Sequence, residues 1–241
     1  MREFNYFTMT LFSITPFLLQ TLVYPFTWVA LRFFAKIRIL GKENIRGHKH
    51  GAIFAVNHSS ELDPILIPAT LNPFSRLMPM FYLARERSFY PVAQKGGFSQ
   101  YFYGGIFFKL WGAYPVAVGT GDYEHALKHH ISILEKEKSV CIFPEGKKTR
   151  DGGIGEGKPG VAYLLWRTGR LVIPVAIHGH YQMNPHGFLS RKHNITVSYG
   201  KPITREELFG TNAEVVPPSH EDLKAGTEII MSRIRGMYEG I

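Results

Sequence analysis

The sequence predicts an α/β fold: a single domain with a mixed, largely parallel sheet flanked by helices, preceded by an N-terminal membrane-associated helical segment. Three observations predict it. Beyond residue 35, short β-rich runs alternate with longer helical ones, the order that winds a parallel sheet between helical layers. From Phe4 to Leu31 the chain carries no charged residue over 28 positions. With 45% hydrophobic and 20% charged residues, the 241-residue chain can bury a core, which excludes disordered, collagen-like and disulfide-scaffold classes. The division that follows is residues 1–35 as the membrane-associated segment and 36–241 as the α/β domain.

The first segment exceeds the ~20 residues that a spanning helix needs. Asn5, Ser13 and Gln20 dilute its apolar character, and Pro16 and Pro25 interrupt it. A proline inside a helix removes a backbone hydrogen bond and bends or breaks the rod. The segment therefore reads as a bent or two-helix unit entering one leaflet, ahead of a kinked transmembrane helix and of a buried soluble helix. A cleaved signal peptide fits poorly, because Arg2 and Glu3 cancel and no small-residue cleavage site follows. Arg32, Lys36 and Arg38 come next, and the positive-inside bias places the domain on the cytoplasmic face.

The elements then follow in order. Lys36 to Leu40 and Ala52 to Val56 read as strands, Pro64 to Thr70 as a short helix and Met80 to Ala84 as a strand. An aromatic stretch runs from Phe98 to Trp111, with Tyr114 to Val118 as a strand and about Asp122 to Lys138 as a helix. Val140 to Phe143, Leu171 to Ile177 and Asn194 to Tyr199 are the remaining strands. Helices occupy about Gly160 to Thr168 and Ser219 to Tyr238. The aromatic residues Phe98, Tyr101, Phe102, Tyr103, Phe107, Phe108, Trp111 and Tyr114 suit core packing first and the lining of an apolar tunnel second.

Charge narrows the partners. Lys and Arg total 28 against 19 Asp and Glu, a net +9 that belongs wholly to residues 32–241. Gly157 to Arg205 contains no acidic residue but carries seven Lys and Arg. Such a stretch suits anionic headgroups or phosphates. No helix-turn-helix, zinc-finger or aromatic ribonucleoprotein motif accompanies it, so lipid is favoured over nucleic acid. The lone cysteine, Cys141, permits neither an internal disulfide nor a cysteine-built zinc site, and in an apolar strand it reads as inert core.

Two segments carry chemistry. Asn57-His58-Ser59-Ser60-Glu61-Leu62-Asp63-Pro64 follows a strand, and a tight turn can bring the Asp63 carboxylate onto one His58 ring nitrogen, leaving the other as a base. The competing reading makes Asp63 a helix N-cap before Pro64. In Phe143-Pro144-Glu145-Gly146-Lys147-Lys148-Thr149-Arg150, a strand delivers a carboxylate into a turn followed by three cations. There Glu145 can hold a hydroxyl while Lys147, Lys148 and Arg150 hold an anion.

Together these segments resemble the glycerolipid acyltransferases, the 1-acylglycerol-3-phosphate acyltransferases and their relatives. The resemblance runs from about Ile37 to Tyr181. It also includes Gly112-Ala113-Tyr114-Pro115-Val116 and Val172-Ile173-Pro174-Val175. It implies that residues 36–241 form an acyltransferase domain, with His58 as general base, Asp63 orienting it, and Glu145 with Gly146 contributing to acceptor binding. The implied reaction moves a fatty acyl group from acyl-CoA or acyl carrier protein to a lysophospholipid hydroxyl, without a cofactor, a metal or a covalent intermediate. Membrane lipids and the acyl carrier are the expected partners. Arg85 and Lys109 are the cations expected near the oxyanion or donor. Two departures stand out: Val118 replaces the arginine expected to bind the acceptor phosphate, and Lys147-Lys148 displaces Thr149-Arg150 by two positions.

Other patterns are set aside. Gly155-Glu156-Gly157-Lys158-Pro159-Gly160 fits a dinucleotide fingerprint in spacing but lacks the preceding strand and following acid. His129-His130 and His178-Gly179-His180 lack carboxylate or cysteine companions nearby in sequence and read as surface or core histidines. A thioesterase or lysolipid hydrolase and a non-catalytic lipid-binding protein are the rival functions.

Overall fold

In a computed structural model, the structure describes residues 6–85, 106–117, 121–183, 185–211, 214 and 216–241. Helix α1 spans Tyr6–Phe34, followed by β1 (Arg38–Leu40), a 3-10 turn (Lys42–Ile45), β2 (Ile53–Val56), α2 (Asp63–Thr70) and β3 (Met80–Arg85). Then come α3 (Ile106–Trp111), β4 (Ala113–Val116), α4 (Tyr123–Glu135), β5 (Ser139–Ile142), α5 (Gly160–Thr168) and β6 (Val172–His178). The chain continues through α6 (Pro185–Leu189), β7 (Thr196–Tyr199) and α7 (Arg205–Phe209) to α8 (His220–Glu239).

Among the described residues the strands form one seven-stranded sheet in the order β1-β7-β6-β2-β5-β3-β4. All neighbours run parallel except β6 and β7. The strands from β6 to β4 therefore end along one edge of the sheet, the edge at which open α/β sheets bind ligands.

Period-two alternation builds a core on each face. Phe54, Val56, Met80, Tyr82, Cys141, Ile173, Val175 and Ile177 point to the side covered by α1 and α2. Ile53, Ala55, Phe81, Val140, Ile142, Val172 and Ala176 point to the side covered by α4, α5 and α8. The strands β2 and β5 are buried along their whole length, as a two-sided sheet requires. Cys141 is fully buried, and burial pushes its thiol well above the ordinary range.

The expected break in the first segment does not occur, because α1 runs through both Pro16 and Pro25 as one helix. Tertiary docking holds it. Pro16 lies beside Gly112, where an added Cβ would meet its ring at 3.3 Å. The buried Gln20 amide donates to the Met80 and Trp111 carbonyls at 2.8 and 3.0 Å and accepts from the Met80 N–H at 2.9 Å. The opposite face leaves Leu18, Leu22, Phe26, Val29 and Phe33 exposed, with Phe26 at 72%. Residues Ile14–Phe34 are long and apolar enough to cross a membrane, with a mean hydropathy of 1.4.

In the aromatic stretch, Phe98 and Tyr101–Tyr103 lie outside the described residues. The described part forms α3, where Trp111 is core and Phe108 packs against it, while Tyr114 packs on the opposite core from β4. Core packing accounts for Phe108, Trp111 and Tyr114 while Phe107 is exposed, and none of these four lines the cavity described below.

Candidate active site

Strands β2 and β5 are adjacent and parallel, with Ala55 opposite Ile142, so the turns that follow them meet at the same edge. His58 N–H donates to Glu145 Oε1 at 2.8 Å, and Thr149 N–H donates to the His58 carbonyl at 2.8 Å. The second Glu145 oxygen accepts from Gly155 N–H at 2.9 Å. Glu145 is buried, and its carboxylate clamps the His58 turn to the Gly155 loop. Sequence reasoning gave Glu145 an acceptor hydroxyl; in the structure both its oxygens hold backbone N–H groups.

Asp63 opens α2 without capping it; Leu62 occupies the N-cap. Its fully buried carboxylate turns back onto the preceding turn. Oδ2 accepts from His58 Nδ1 at 2.8 Å, from Ser59 N–H at 2.9 Å and from Ser60 N–H at 3.1 Å. Oδ1 accepts from His180 Nε2 at 2.5 Å. Burial alone would raise the Asp63 carboxyl, but the His180 and His58 hydrogen bonds outweigh it and hold the group below its ordinary value, ionised. The N-cap reading of Asp63 is thereby replaced by the base-orienting geometry.

His58 stacks on Phe143, with ring centroids 4.2 Å apart. With Nδ1 donating to Asp63, the other ring nitrogen is left to act as acceptor, and the ring lines a cavity of about 530 Å³. Leu83, Ala84, Val116, Ala117, Leu127 and Ile142 give this cavity an apolar wall along the strand ends. Lys147, Lys148, Lys158 and the start of α5 line it beside His58. Lys148 pairs with Glu61. Helix α5 has no side-chain cap and no acidic residue in its first turn, and Pro159 and Gly160 at its start line the cavity beside Lys158, which puts the partial positive charge of this helix end at the cavity wall.

The structure brings together His58, Asp63, Glu145, Gly146, Lys147 and Lys148. Gly146 sits at φ +67°, where an added Cβ would come 3.0 Å from Lys158 Cε. Arg150 is exposed and does not line the cavity, while its carbonyl accepts from the Tyr181 hydroxyl. Lys109 is exposed on α3 and is also not a lining residue, so the expectation of an oxyanion or donor contact from it is not supported. Arg85 ends β3 beside the lining residue Ala84. Its side chain, like the whole of Val118, lies outside the described residues.

Two residues were missed as site members. Lys158 was read as part of a basic stretch and of the Gly155–Gly160 loop, which was placed beside the acceptor site without a role for the lysine itself. His180 was read as a surface or core histidine because its acid, Asp63, is 117 positions away. The signal that could have found both is topological: each follows a strand ending at the edge where His58 sits.

A family model described as Acyltransferase matches residues 36–178. The chain belongs to this family. Its curated relatives include the chloroplastic 1-acyl-sn-glycerol-3-phosphate acyltransferase LPAT1 of Arabidopsis thaliana, 27% identical over 186 residues, 76% of this chain and 46% of the relative. The chloroplastic 1-acyl-sn-glycerol-3-phosphate acyltransferase BAT2 of Brassica napus is 24% identical over 186 residues, covering 76% of this chain and 48% of that one. The chain thus spans about half the length of the curated relatives it matches. The crystal structure of the 1-acyl-sn-glycerophosphate (LPA) acyltransferase PlsC from Thermotoga maritima superposes with a TM-score of 0.61 at 18% identity, covering 92% of this chain and 79% of the other. That likeness establishes a shared fold.

Proposed function

We propose that this acyltransferase-family chain moves a fatty acyl group from a thioester, carried by coenzyme A or acyl carrier protein, to the hydroxyl of a lysophospholipid. The favoured acceptor is 1-acylglycerol-3-phosphate. The observation that carries the reading is the His58–Asp63 pair at the mouth of an apolar cavity flanked by cations. Family membership and the names of the plant relatives support it.

The free His58 ring nitrogen takes the acceptor hydroxyl proton as the oxygen attacks the thioester carbon. Asp63 stabilises the imidazolium that forms. The tetrahedral oxyanion collapses, the carbon–sulfur bond breaks, and the departing thiolate takes the proton back from His58. A thioester is already activated, so no enzyme nucleophile and no cofactor is needed. The apolar wall from Leu83 to Ile142 suits an acyl chain. Lys147, Lys158 and the uncapped start of α5 suit a phosphate and offer the charge that Val118 does not.

On this reading residues 1–35 seek the membrane and residues 36–241 catalyse on its cytoplasmic face. The exposed α1 face enters one leaflet. Lipids and the acyl carrier are the partners.

The purified chain, given acyl donor and a lysolipid panel, should form the diacyl product from lysophosphatidic acid. His58→Ala should lose at least ~100-fold in kcat, the scale of general-base catalysis. Lys158→Ala should raise KM for the phosphorylated acceptor about tenfold, leaving kcat closer to wild type. Equal product yields from wild type and His58→Ala would overturn the mechanism. Free fatty acid without diacyl product would favour the hydrolase reading.

A further inference from the structure

We infer that His180 is the third member of the system behind the base, a buried imidazole that positions the Asp63 carboxylate so that Asp63 can hold His58. The inference rests on the acyl-transfer reading of the site and adds a positioning residue to it.

The donors to Asp63 divide unevenly. All three contacts to Oδ2 come from the turn that Asp63 itself closes, namely the His58 ring and the Ser59 and Ser60 N–H groups. Oδ1 takes the His180 ring alone among the described hydrogen bonds. A carboxylate gripped on one oxygen can still rotate about its soft terminal torsion. A donor on the other oxygen fixes its plane. His180 is only 1% exposed, so water does not substitute readily for it.

The imidazole is itself held in place. His180 lies two residues beyond β6, which pairs in parallel with β2. The buried Asn57 side chain extends that pairing, donating to the Ile177 carbonyl at 3.0 Å and accepting from Ile177 N–H at 2.7 Å. The His58 turn and the His180 turn therefore leave the sheet in fixed register.

Protonation follows from satisfaction of the ring nitrogens. Among the described residues His180 Nδ1 is buried and has no hydrogen-bond partner. A proton on that nitrogen would be a buried donor without an acceptor, whereas one on Nε2 meets the Asp63 carboxylate at 2.5 Å, so Nε2 is the donor. Among the described residues the other titratable groups facing this cluster are His58, Glu145 on the His58 N–H, Cys141, and Tyr82, whose hydroxyl donates to the Pro64 carbonyl. Burial pushes both the Cys141 thiol and the Tyr82 hydroxyl well up, so both are neutral. Asp63, held ionised, faces the cation that forms on His58 during turnover.

The test pairs His180→Leu, which fills space without a donor, with His180→Gln, whose amide can still donate to Asp63. In detergent–lysolipid mixed micelles with acyl donor, His180→Leu should lose about 10- to 100-fold in kcat with KM changed less than about twofold. The acid limb of its kcat/KM profile should move to lower pH as the imidazolium formed in turnover loses its oriented partner. His180→Gln should recover most of kcat. A folded His180→Leu variant with wild-type kcat and an unmoved acid limb overturns the inference, as does a folded His180→Gln variant no better than His180→Leu. Nitrogen-15 NMR of the histidines in the wild-type chain gives a second measurement that needs no variant. His180 should carry a proton on Nε2, the nitrogen that faces Asp63, and a spectrum with Nε2 bare overturns the inference. His58→Ala in the same assay separates the failures. If it retains transfer, the reading of the whole site falls; if it loses transfer while His180→Leu does not, only the role of His180 falls.

Discussion

At the scale of single residues, the site is built around two buried carboxylates with different duties. Asp63 gathers donors from its own turn and from His180, whereas Glu145 spends both oxygens on backbone N–H groups. Glu145→Gln should therefore behave as a scaffold mutation. An amide can accept at one end only, so one buried N–H, from His58 or Gly155, would face another donor. The expected cost is about 1–3 kcal/mol of stability. Urea unfolding should show that loss together with a kcat that falls more than KM rises; a change confined to KM would restore a direct acceptor contact for Glu145. The pairing of His58 with Asp63 was legible in the sequence because five positions and one turn separate them. The pairing of Asp63 with His180 was not, because only the register of β6 against β2 creates it.

At the scale of elements, strands and long helices were legible from their periodicity, and α5 is found at Gly160–Thr168 as predicted. The short helices α3, α6 and α7 were not. They have five or six residues each, too few for a helical period to show. Helix α1 differs in a more instructive way. Two prolines argued for a break, yet packing against Gly112 and the Gln20 amide override local propensity. Gln20→Leu would leave the buried Met80 N–H and the Met80 and Trp111 carbonyls without this partner. A loss of about 3 kcal/mol or more is expected by denaturant titration, on the order of 1–3 kcal/mol for each of the three buried groups abandoned. A stability unchanged within about 0.5 kcal/mol would show that α1 docks without it.

At the scale of the whole molecule, buried histidines set the pH range in which the fold is stable. Burial drives His130 from its ordinary 6.5 down to about 4, opposed in part by the Tyr82 carbonyl contact and helped slightly by His129. The unfolded chain therefore binds a proton at this residue that the folded chain refuses between those values, and stability falls as pH drops from about 6.5 towards 4. The loss attributable to His130 is about 3 kcal/mol, from 1.36 kcal/mol per pH unit. Asp63 acts in the same sense, since its lowered value contributes stability that is lost only as the pH falls through it. Thermal unfolding across about pH 4 to 7 should show a steeper acid loss for wild type than for His130→Gln, and parallel curves would remove His130 from the explanation.

The Gln20 clamp has a mechanical consequence. Because the same amide ties α1 to both β3 and the end of α3, the apolar helix and the sheet that carries His58 are joined directly. On the proposed membrane-seeking reading, with the exposed ridge of Leu18, Leu22 and Phe26 bedded in lipid, that joint sets the altitude of His58 above the headgroups.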